Sequence, residues 1–271
     1  MPELPEVETT VRGVAPHVSD QTITAVDVRN PNLRWPVPHN LASLIVGHNV
    51  HSVSRRAKYL VFQFPSGSLL VHLGMSGSLR IVDPSTPLKT HDHVIFSLSN
   101  GMQMRYHDPR RFGCVLWCDN DLEQHGLIAH LGPEPLCDEF DATYLYQRSR
   151  GRKLACKLFI MDSKVVVGVG NIYANEALFA AGIDPNKAAG KLTKPACERL
   201  VEEIKKVLAA AIAQGGTTLR DFVNSDGQPG YFKQTLAVYG RGGEPCVSCK
   251  EVLKETRLGQ RATVFCRRCQ R

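Results

Sequence analysis

Tyr59-Leu60-Val61-Phe62-Gln63-Phe64-Pro65-Ser66-Gly67-Ser68-Leu69-Leu70-Val71-His72-Leu73 reads as two strands joined at Pro65-Ser66-Gly67, a turn-forming trio between aliphatic and aromatic runs. The signal repeats downstream. Val94-Ile95-Phe96-Ser97-Leu98 and Met102-Gln103-Met104-Arg105-Tyr106 flank Asn100-Gly101, a dipeptide that accepts the positive φ of a tight hairpin turn. Phe112 to Trp117 predicts one more strand. Ile23 to Val28 alternates as an earlier one, broken by Asn30-Pro31-Asn32. Arg55-Arg56-Ala57-Lys58-Tyr59 reads as the cationic opening of a strand. Short strands thus follow one another from about residue 44 to residue 118, which predicts a β-sandwich or barrel-like amino-terminal domain.

Past residue 119 the alternation fades, and Leu131-Gly132-Pro133-Glu134-Pro135 is a rigid, turn-forming boundary. The pattern then becomes helical. Ile172 to Ala181 carries Ile172, Leu178 and Phe179 among small residues. Thr193 caps a helix with Pro195 in its first turn, and Leu200, Ile204, Val207, Leu208, Ala211 and Ile212 form its apolar stripe until Gly215-Gly216 ends it. Residues 217–235 read as a loop centred on Ser225-Asp226-Gly227-Gln228-Pro229-Gly230. The expected fold class is α+β with two domains: residues 1–133, a linker over 134–151, a helical part over 152–236, and a cysteine-bearing tail over 237–271.

A chain of 271 residues, 43% hydrophobic and 22% charged, is an ordinary globular composition with room for two modest domains. Glu3, Glu6 and Glu8 near the start, without an apolar segment, argue against a signal peptide. No apolar run reaches the length of a membrane span, so no membrane partner is expected, and the cytoplasm or a bacterial nucleoid is the expected location. A net charge of +7 points to a polyanionic partner, nucleic acid first.

The amino terminus, Met1-Pro2-Glu3-Leu4-Pro5-Glu6-Val7-Glu8, has two readings. Taken alone it is an acidic, disordered tail. If Met1 is removed, Pro2 offers a secondary amine, and an α-amino group titrates near pH ~8, well below the ~10.4 of lysine. Such an amine attacks sugar-aldehyde carbon and leaves an iminium, cationic at any pH and a strong electron sink. Glu3 stands beside it to move protons. Residues 9–20 extend a short helix from this stretch, with Val7, Val11 and Val14 at helical spacing.

Cys246-Val247-Ser248-Cys249 and Cys266-Arg267-Arg268-Cys269 are two Cys-x-x-Cys pairs at the separation of a tetrahedral zinc site. The strand-like spacer turns around Gly259-Gln260, so one closed, structural zinc ion is expected to staple a β-hairpin. Arg257, Arg261, Arg267 and Arg268 make that hairpin basic. Cys114, Cys118, Cys137, Cys156 and Cys197 are scattered and are expected to fill small buried spaces. Gly168-Val169-Gly170-Asn171 precedes a helix, where free N–H groups suit a phosphate, although close helix packing explains the glycines equally well. Arg148, Arg150, Arg152, Lys153 and Lys157 form a basic run, either a solvated face or a strip facing phosphates. Met75 and Phe112 fall at turns. Residue type alone favours core packing for both, and a wedge into a base stack is the alternative.

Together these motifs resemble the formamidopyrimidine-DNA glycosylase family over essentially the whole chain. The resemblance rests on Pro2-Glu3-Leu4-Pro5-Glu6-Val7-Glu8, Arg56-Ala57-Lys58-Tyr59, His72-Leu73-Gly74-Met75-Ser76-Gly77, His91-Asp92-His93, Asp108-Pro109-Arg110-Arg111-Phe112-Gly113, Gly168-Val169-Gly170-Asn171-Ile172-Tyr173 and the cysteine pairs. It implies a β-sandwich domain and a helical domain with a helix–two-turn–helix element around Asn171 and a zinc hairpin, with damaged double-stranded DNA held between them by a single chain. It assigns Pro2 as nucleophile, Glu3 as proton donor for base loss, Lys58 as donor for β-elimination and Arg261 for δ-elimination. His91, Arg110 and Arg152 match DNA-contact positions, with arginine at 152 where some members have lysine. Met75, Arg110 and Phe112 match the trio that fills the space left by a flipped nucleotide, and 217–230 the loop over the damaged base. The implied activity is removal of oxidised purines followed by strand cleavage, with zinc as the sole cofactor. The endonuclease VIII type, acting on oxidised pyrimidines, is the nearest rival; Leu4 and the long 217–230 loop favour the purine type. A non-catalytic zinc-hairpin DNA-binding protein accounts for the charge and cysteines but not for Pro2 and Glu3 with Lys58.

Overall fold

The computed structural model describes residues 2–119, 121–216 and 236–271. They group into two compact units, one holding the described residues up to 129 with 214–216, the other holding 130–213 and 236–271. Among the described residues no helix is long and apolar enough to cross a membrane.

The first unit opens with helix α1 (Leu4–Val18). Its start is chemically specified. Glu3 is the N-cap, and the Glu6 carboxylate reaches back to accept from the Glu3 N–H at 2.8 Å, closing a capping box. Pro5 lies in the first turn, where a missing N–H costs nothing. Val7, Val11, Val14 and Val18 bury one stripe. The terminal stretch is therefore ordered helix from Leu4 onward, which removes the disordered-tail reading and starts the helix earlier than expected. Strand β1 (Ile23–Val28) and a short helix α2 (Leu41–Ile45) follow; the sequence reading did not find α2.

Seven further strands complete this unit: β2 (Ser52–Arg56), β3 (Tyr59–Phe64), β4 (Gly67–His72), β5 (Ser78–Val82), β6 (Asp92–Leu98), β7 (Gln103–His107) and β8 (Cys114–Cys118). They form two four-stranded antiparallel sheets, β1-β6-β7-β5 and β2-β3-β4-β8. Leu60, Phe62, Leu69 and Val71 of one sheet and Leu79, Val94, Phe96, Met104 and Tyr106 of the other share one buried core with α1. A sandwich rather than a barrel results. Strands β2 and β5 do not stand out in the sequence, because their cations and hydroxyls dilute the alternation even where, as at Ser78 and Arg80, they are buried. Lys58 does not open a strand; with Ala57, at φ 55°, it forms the two-residue turn between β2 and β3.

In the second unit the chain runs through α3 (Ala142–Ser149), α4 (Cys156–Met161), α5 (Asn171–Ala180) and α6 (Lys194–Ala213), then the hairpin β9 (Lys254–Leu258) and β10 (Arg261–Phe265). α3, which falls inside the expected linker, packs on α6, as does α5. Thr193 Oγ1 accepts from Ala196 N at 3.3 Å at the start of α6, and Gly215 and Gly216 adopt φ 74° and 80° beyond its end, as a helix stop requires. Four of the five scattered cysteines are buried or core-packed, whereas Cys137 is exposed, contrary to expectation.

Gly113 sits where two loops cross: a Cβ there would overlap the Tyr106 hydroxyl and the His72 carbonyl oxygen. Gly113→Ala is expected to cost about 2 kcal/mol or more, the scale of forced overpacking, seen as a lower urea midpoint.

Candidate active site

The amino terminus and the Lys58 turn belong to neighbouring elements of the first unit. Pro2 and Glu3 are buried at the head of α1, which packs along β2. Glu8 of α1 receives the Arg55 Nε of β2 at 3.2 Å, and Arg55 Nη1 donates to the Ala57 carbonyl at 2.9 Å. One arginine thus fixes both the helix and the turn that presents Lys58. Across the sheet lies His72, paired with Tyr59 and stacked on it with ring centroids 4.9 Å apart. Burial, then the Lys58 cation, then Arg34 push the His72 pKa down to about 4. Its neutral Nδ1 accepts from Gly74 N at 2.9 Å.

His72 also begins the loop that carries Met75. That loop and the 108–113 loop are locked together by Asp108, whose side chain is fully buried. Asp108 Oδ2 accepts from Gly113 N at 2.9 Å and from the Tyr106 hydroxyl at 3.2 Å, and Oδ1 accepts from the Ser76 hydroxyl at 3.4 Å. The Asp108 N–H donates to the His91 carbonyl at 3.0 Å, and the His93 ring meets the Asp108 carbonyl at 2.8 Å. Met75, His91, Arg110 and Phe112 therefore come from segments tied to one residue, the Met75 loop and the 108–113 loop through the Asp108 carboxylate and the His91 segment through its backbone. Phe112 is 46% exposed with the Arg110 guanidinium 4.9 Å above its ring, so the core-packing reading fails for Phe112; Met75 is half-buried. His91 and Arg110 are exposed.

In the second unit Asn171 is the first residue of α5, and Gly170 is its N-cap; Gly168 before it has φ 79°. Arg152 and Lys153 are exposed. The basic run does not act as one strip. Lys157 is fully buried and its Nζ donates to the Ala262 carbonyl at 2.7 Å and the Thr263 hydroxyl at 2.8 Å. Arg148 donates to the Lys164 carbonyl, and Arg150 to carbonyls of Tyr146 and Leu192. Helical periodicity carries no sign of this inward turn of Lys157, because a lysine reads as surface unless its partner is known.

Arg261 is exposed and opens β10 directly after Gly259 and Gln260, both at positive φ (51° and 61°), as a type I′ turn demands. The strand behind it is fixed from three directions. Lys157 holds residues 262 and 263, Asn175 Oδ1 accepts from Val264 N at 2.9 Å, and Leu158 lies under Gly259. Glu176 accepts from the N–H groups of Ala237, Val238 and Tyr239 at 2.7 to 3.0 Å, anchoring the segment that leads into the hairpin.

The Sγ atoms of Cys246, Cys249, Cys266 and Cys269 all lie within 4.8 Å of one another, with edges of 3.9 and 3.4 Å. A tetrahedron with Zn–S near ~2.3 Å has S···S edges of about 3.8 Å, so the four residues fit one zinc ion with no open position. The expected loop over 217–230 lies outside the described residues, as does Met1.

A family model described as the formamidopyrimidine-DNA glycosylase N-terminal domain matches residues 1–115. The H2TH domain of the same family matches residues 131–223, and a zinc finger found in FPG and IleRS matches residues 243–271. Curated relatives named formamidopyrimidine-DNA glycosylase include those of Stutzerimonas stutzeri, 59% identical, and Syntrophotalea carbinolica, 58% identical, each over 100% of both chains. Among solved structures, the MutM (Fpg) protein of Thermus thermophilus superposes with a TM-score of 0.88 at 36% identity, covering 99% of this chain and 98% of that one. A Lactococcus lactis Fpg variant complexed with Fapy-dG-containing DNA gives 0.92 at 30% identity, covering 100% of both. A MutM complex with carbocyclic 8-oxo-G-containing DNA gives 0.91 at 31%, again covering 100% of both.

Two outcomes follow from this geometry. Cys249→Ser is expected to reduce bound zinc from one ion per chain to none and to lower the thermal midpoint, read by metal analysis and calorimetry. For His72 the neutral form is favoured in the fold, so its contribution is complete above pH ~6.5, the ordinary histidine value, and is lost as the pH falls toward 4. Stability should drop there by at most about 1.4 kcal/mol per pH unit, and His72→Gln should flatten that part of the profile.

Proposed function

The chain belongs to the formamidopyrimidine-DNA glycosylase family, and from that premise we propose that Pro2, freed by removal of Met1, is the nucleophile of its reaction. The protein is a bifunctional DNA-repair enzyme, a glycosylase that removes oxidised purines such as 8-oxoguanine and formamidopyrimidines and a lyase that then cleaves the strand. The observation that carries the residue assignment is the capping box. It sets Pro2 immediately before a rigid helix, with the Glu3 carboxylate at the helix head and the Lys58 turn tied to the same helix through Arg55 and Glu8.

The chemistry follows from those positions. Extruding the damaged nucleotide costs a few kcal/mol, less for a weakened pair. The Pro2 nitrogen attacks the anomeric carbon, the bond to the base breaks, and Glu3 supplies the proton needed for base loss. The resulting iminium withdraws electrons from the sugar. Loss of the adjacent C–H proton then expels the 3′ phosphate by β-elimination, with Lys58 as donor, and a second elimination expels the 5′ phosphate with Arg261 as donor. Phe112, Met75 and Arg110 occupy the space vacated in the duplex; exposed Phe112 under a guanidinium supports this, since an apolar ring in water is costly unless it inserts. His91 and Arg152 contact backbone phosphates, and Asn171 offers the α5 N-terminus to another. One zinc ion on Cys246, Cys249, Cys266 and Cys269 holds the hairpin in shape and takes no part in bond making. We assign catalysis to residues 1–133, the helical DNA-binding part to 152–236 and the zinc hairpin to 237–271, acting as one chain on chromosomal DNA in the bacterial cytoplasm.

Borohydride trapping on an 8-oxoguanine·cytosine duplex tests the nucleophile. A covalent adduct mapping to Pro2 is expected; an adduct on a lysine, or no adduct from a protein that binds the duplex and lacks Met1, overturns the assignment. Pro2→Gly should keep duplex affinity while base excision falls by about two orders of magnitude, the scale on which loss of a catalytic group is felt.

A further inference from the structure

A pocket of about 280 Å³ opens on the first unit, lined by Ser76, Ser78, Arg80, Lys89, His107 and Arg110 and by none of Pro2, Glu3 and Lys58. Its walls follow from register. Ser78 of β5 pairs with His107 of β7, which pairs with Asp92 of β6, and Arg80 pairs with Arg105. Two guanidiniums opposite each other require a counter-ion, and Asp92 supplies one. It is fully buried, bound by Arg80 Nη2, within 2.9 Å of His107 Nδ1, and 4.0 Å from Arg105. Arg105 spends its remaining donors on the Gln103 side chain and on carbonyls of Pro84, Thr86 and Pro87. Arg80 does not: its buried Nε has no hydrogen-bond partner among the described residues.

Nε is enclosed, but Arg80 lines the pocket and keeps about a tenth of its side chain exposed, so its guanidinium offers a charged donor there. The surroundings favour an anionic acceptor. Of the lining residues Arg80, Lys89 and Arg110 are cations and none is acidic, so with Asp92 offsetting Arg80 the pocket keeps a net positive charge. Ser76 and Ser78 add hydroxyls, and an arginine fork suits a tetrahedral oxyanion. The volume is several times the ~30 Å³ share of one water molecule.

We propose that this pocket is a phosphate site, with the Arg80 guanidinium and Lys89 as its charged donors and Ser78 as a neutral one. Two sources supply that chemistry: a backbone phosphodiester of bound DNA, or a free phosphate ion. The site does not depend on the Pro2 mechanism and is tested without it.

The test uses full-length, zinc-loaded protein. Thermal midpoint and calorimetric titration with sodium phosphate are compared with sodium chloride at equal ionic strength. Wild type should show phosphate-specific binding and stabilisation, and both Lys89→Ala and Ser78→Ala should weaken it at least tenfold. Arg80 itself is left intact, because removing it strands buried Asp92. Absence of phosphate-specific binding in wild type overturns the proposal. So does equal binding by Ser78→Ala, since a merely basic surface would be indifferent to a neutral hydroxyl. A second arm assigns the source through the salt dependence of affinity for undamaged duplex. A backbone phosphate predicts that Lys89→Ala lowers the log–log slope by about 0.9 and that phosphate competes with DNA. A free ion predicts an unchanged slope while phosphate binding is lost.

Discussion

The end of the sandwich that presents Met75, His91, Arg110 and Phe112 depends on the burial of one carboxylate. Asp108 has no exposed surface, and a buried carboxylate survives only when its lone pairs are met. They are met by donors from three places: the Gly113 amide, the Tyr106 hydroxyl and the Ser76 hydroxyl. Gly113 closes the 108–113 loop on itself, Tyr106 ties it to β7, and Ser76 ties it to the loop that carries Met75. The residues at the tips are thereby held in place from behind, which is what a site needs when its contacts lie outside the protein. The absence of a side chain at Gly113 is the steric counterpart, since any Cβ would enter the space where Tyr106 and His72 meet.

The second unit solves the same problem with the charges reversed. A two-stranded hairpin is marginal by itself. Here four sulfur ligands close one end, while Lys157, Asn175 and Leu158 hold the other from α4 and α5. The buried ammonium of Lys157 is affordable because a carbonyl and a hydroxyl receive it. Arg261, at the first position after the turn, is placed by these contacts together with its pairing to Leu258 across the hairpin.

What the sequence made legible, and what it hid, divides along physical lines. The zinc pairs, the α6 stripe and its cap are local signals, and each stands where the spacing predicts. The hairpin at Asn100-Gly101 is there too, but Leu98 closes on Met102 and only Gly101 has positive φ, so its loop is longer than the two residues expected. Strands β2 and β5 were harder to read because their cations break the apolar pattern, and the partners of Arg55 and Arg80, Glu8 and Asp92, are invisible to periodicity. The capping box was in plain view as Glu3-Leu4-Pro5-Glu6, yet the two prolines suggested disorder; in the fold they belong to the start of a helix. Lys157 and Asp92 were the least legible residues, since a charged side chain is read as solvated until its counterpart, 105 residues away in the case of Ala262, is known. The resemblance to a known family supplied the residue roles that spacing alone left open.

The distribution of sulfur has a bearing on the conditions under which an enzyme of oxidative damage must work. Oxidants attack thiolates, not thiols, and attack those they can reach. Burial holds Cys114 and Cys156 up at about 12 and raises Cys197, so these stay protonated and inert as well as enclosed. Cys137 is exposed but stands apart from the metal cluster. The reactive form of sulfur is thus concentrated in the four zinc ligands, where the metal itself masks the electron pairs. Apart from exposed Cys137, the sulfur within reach of an oxidant is that of the four zinc ligands, so that loss of the hairpin, rather than scattered damage to the core, is the way oxidative stress would be felt in the fold.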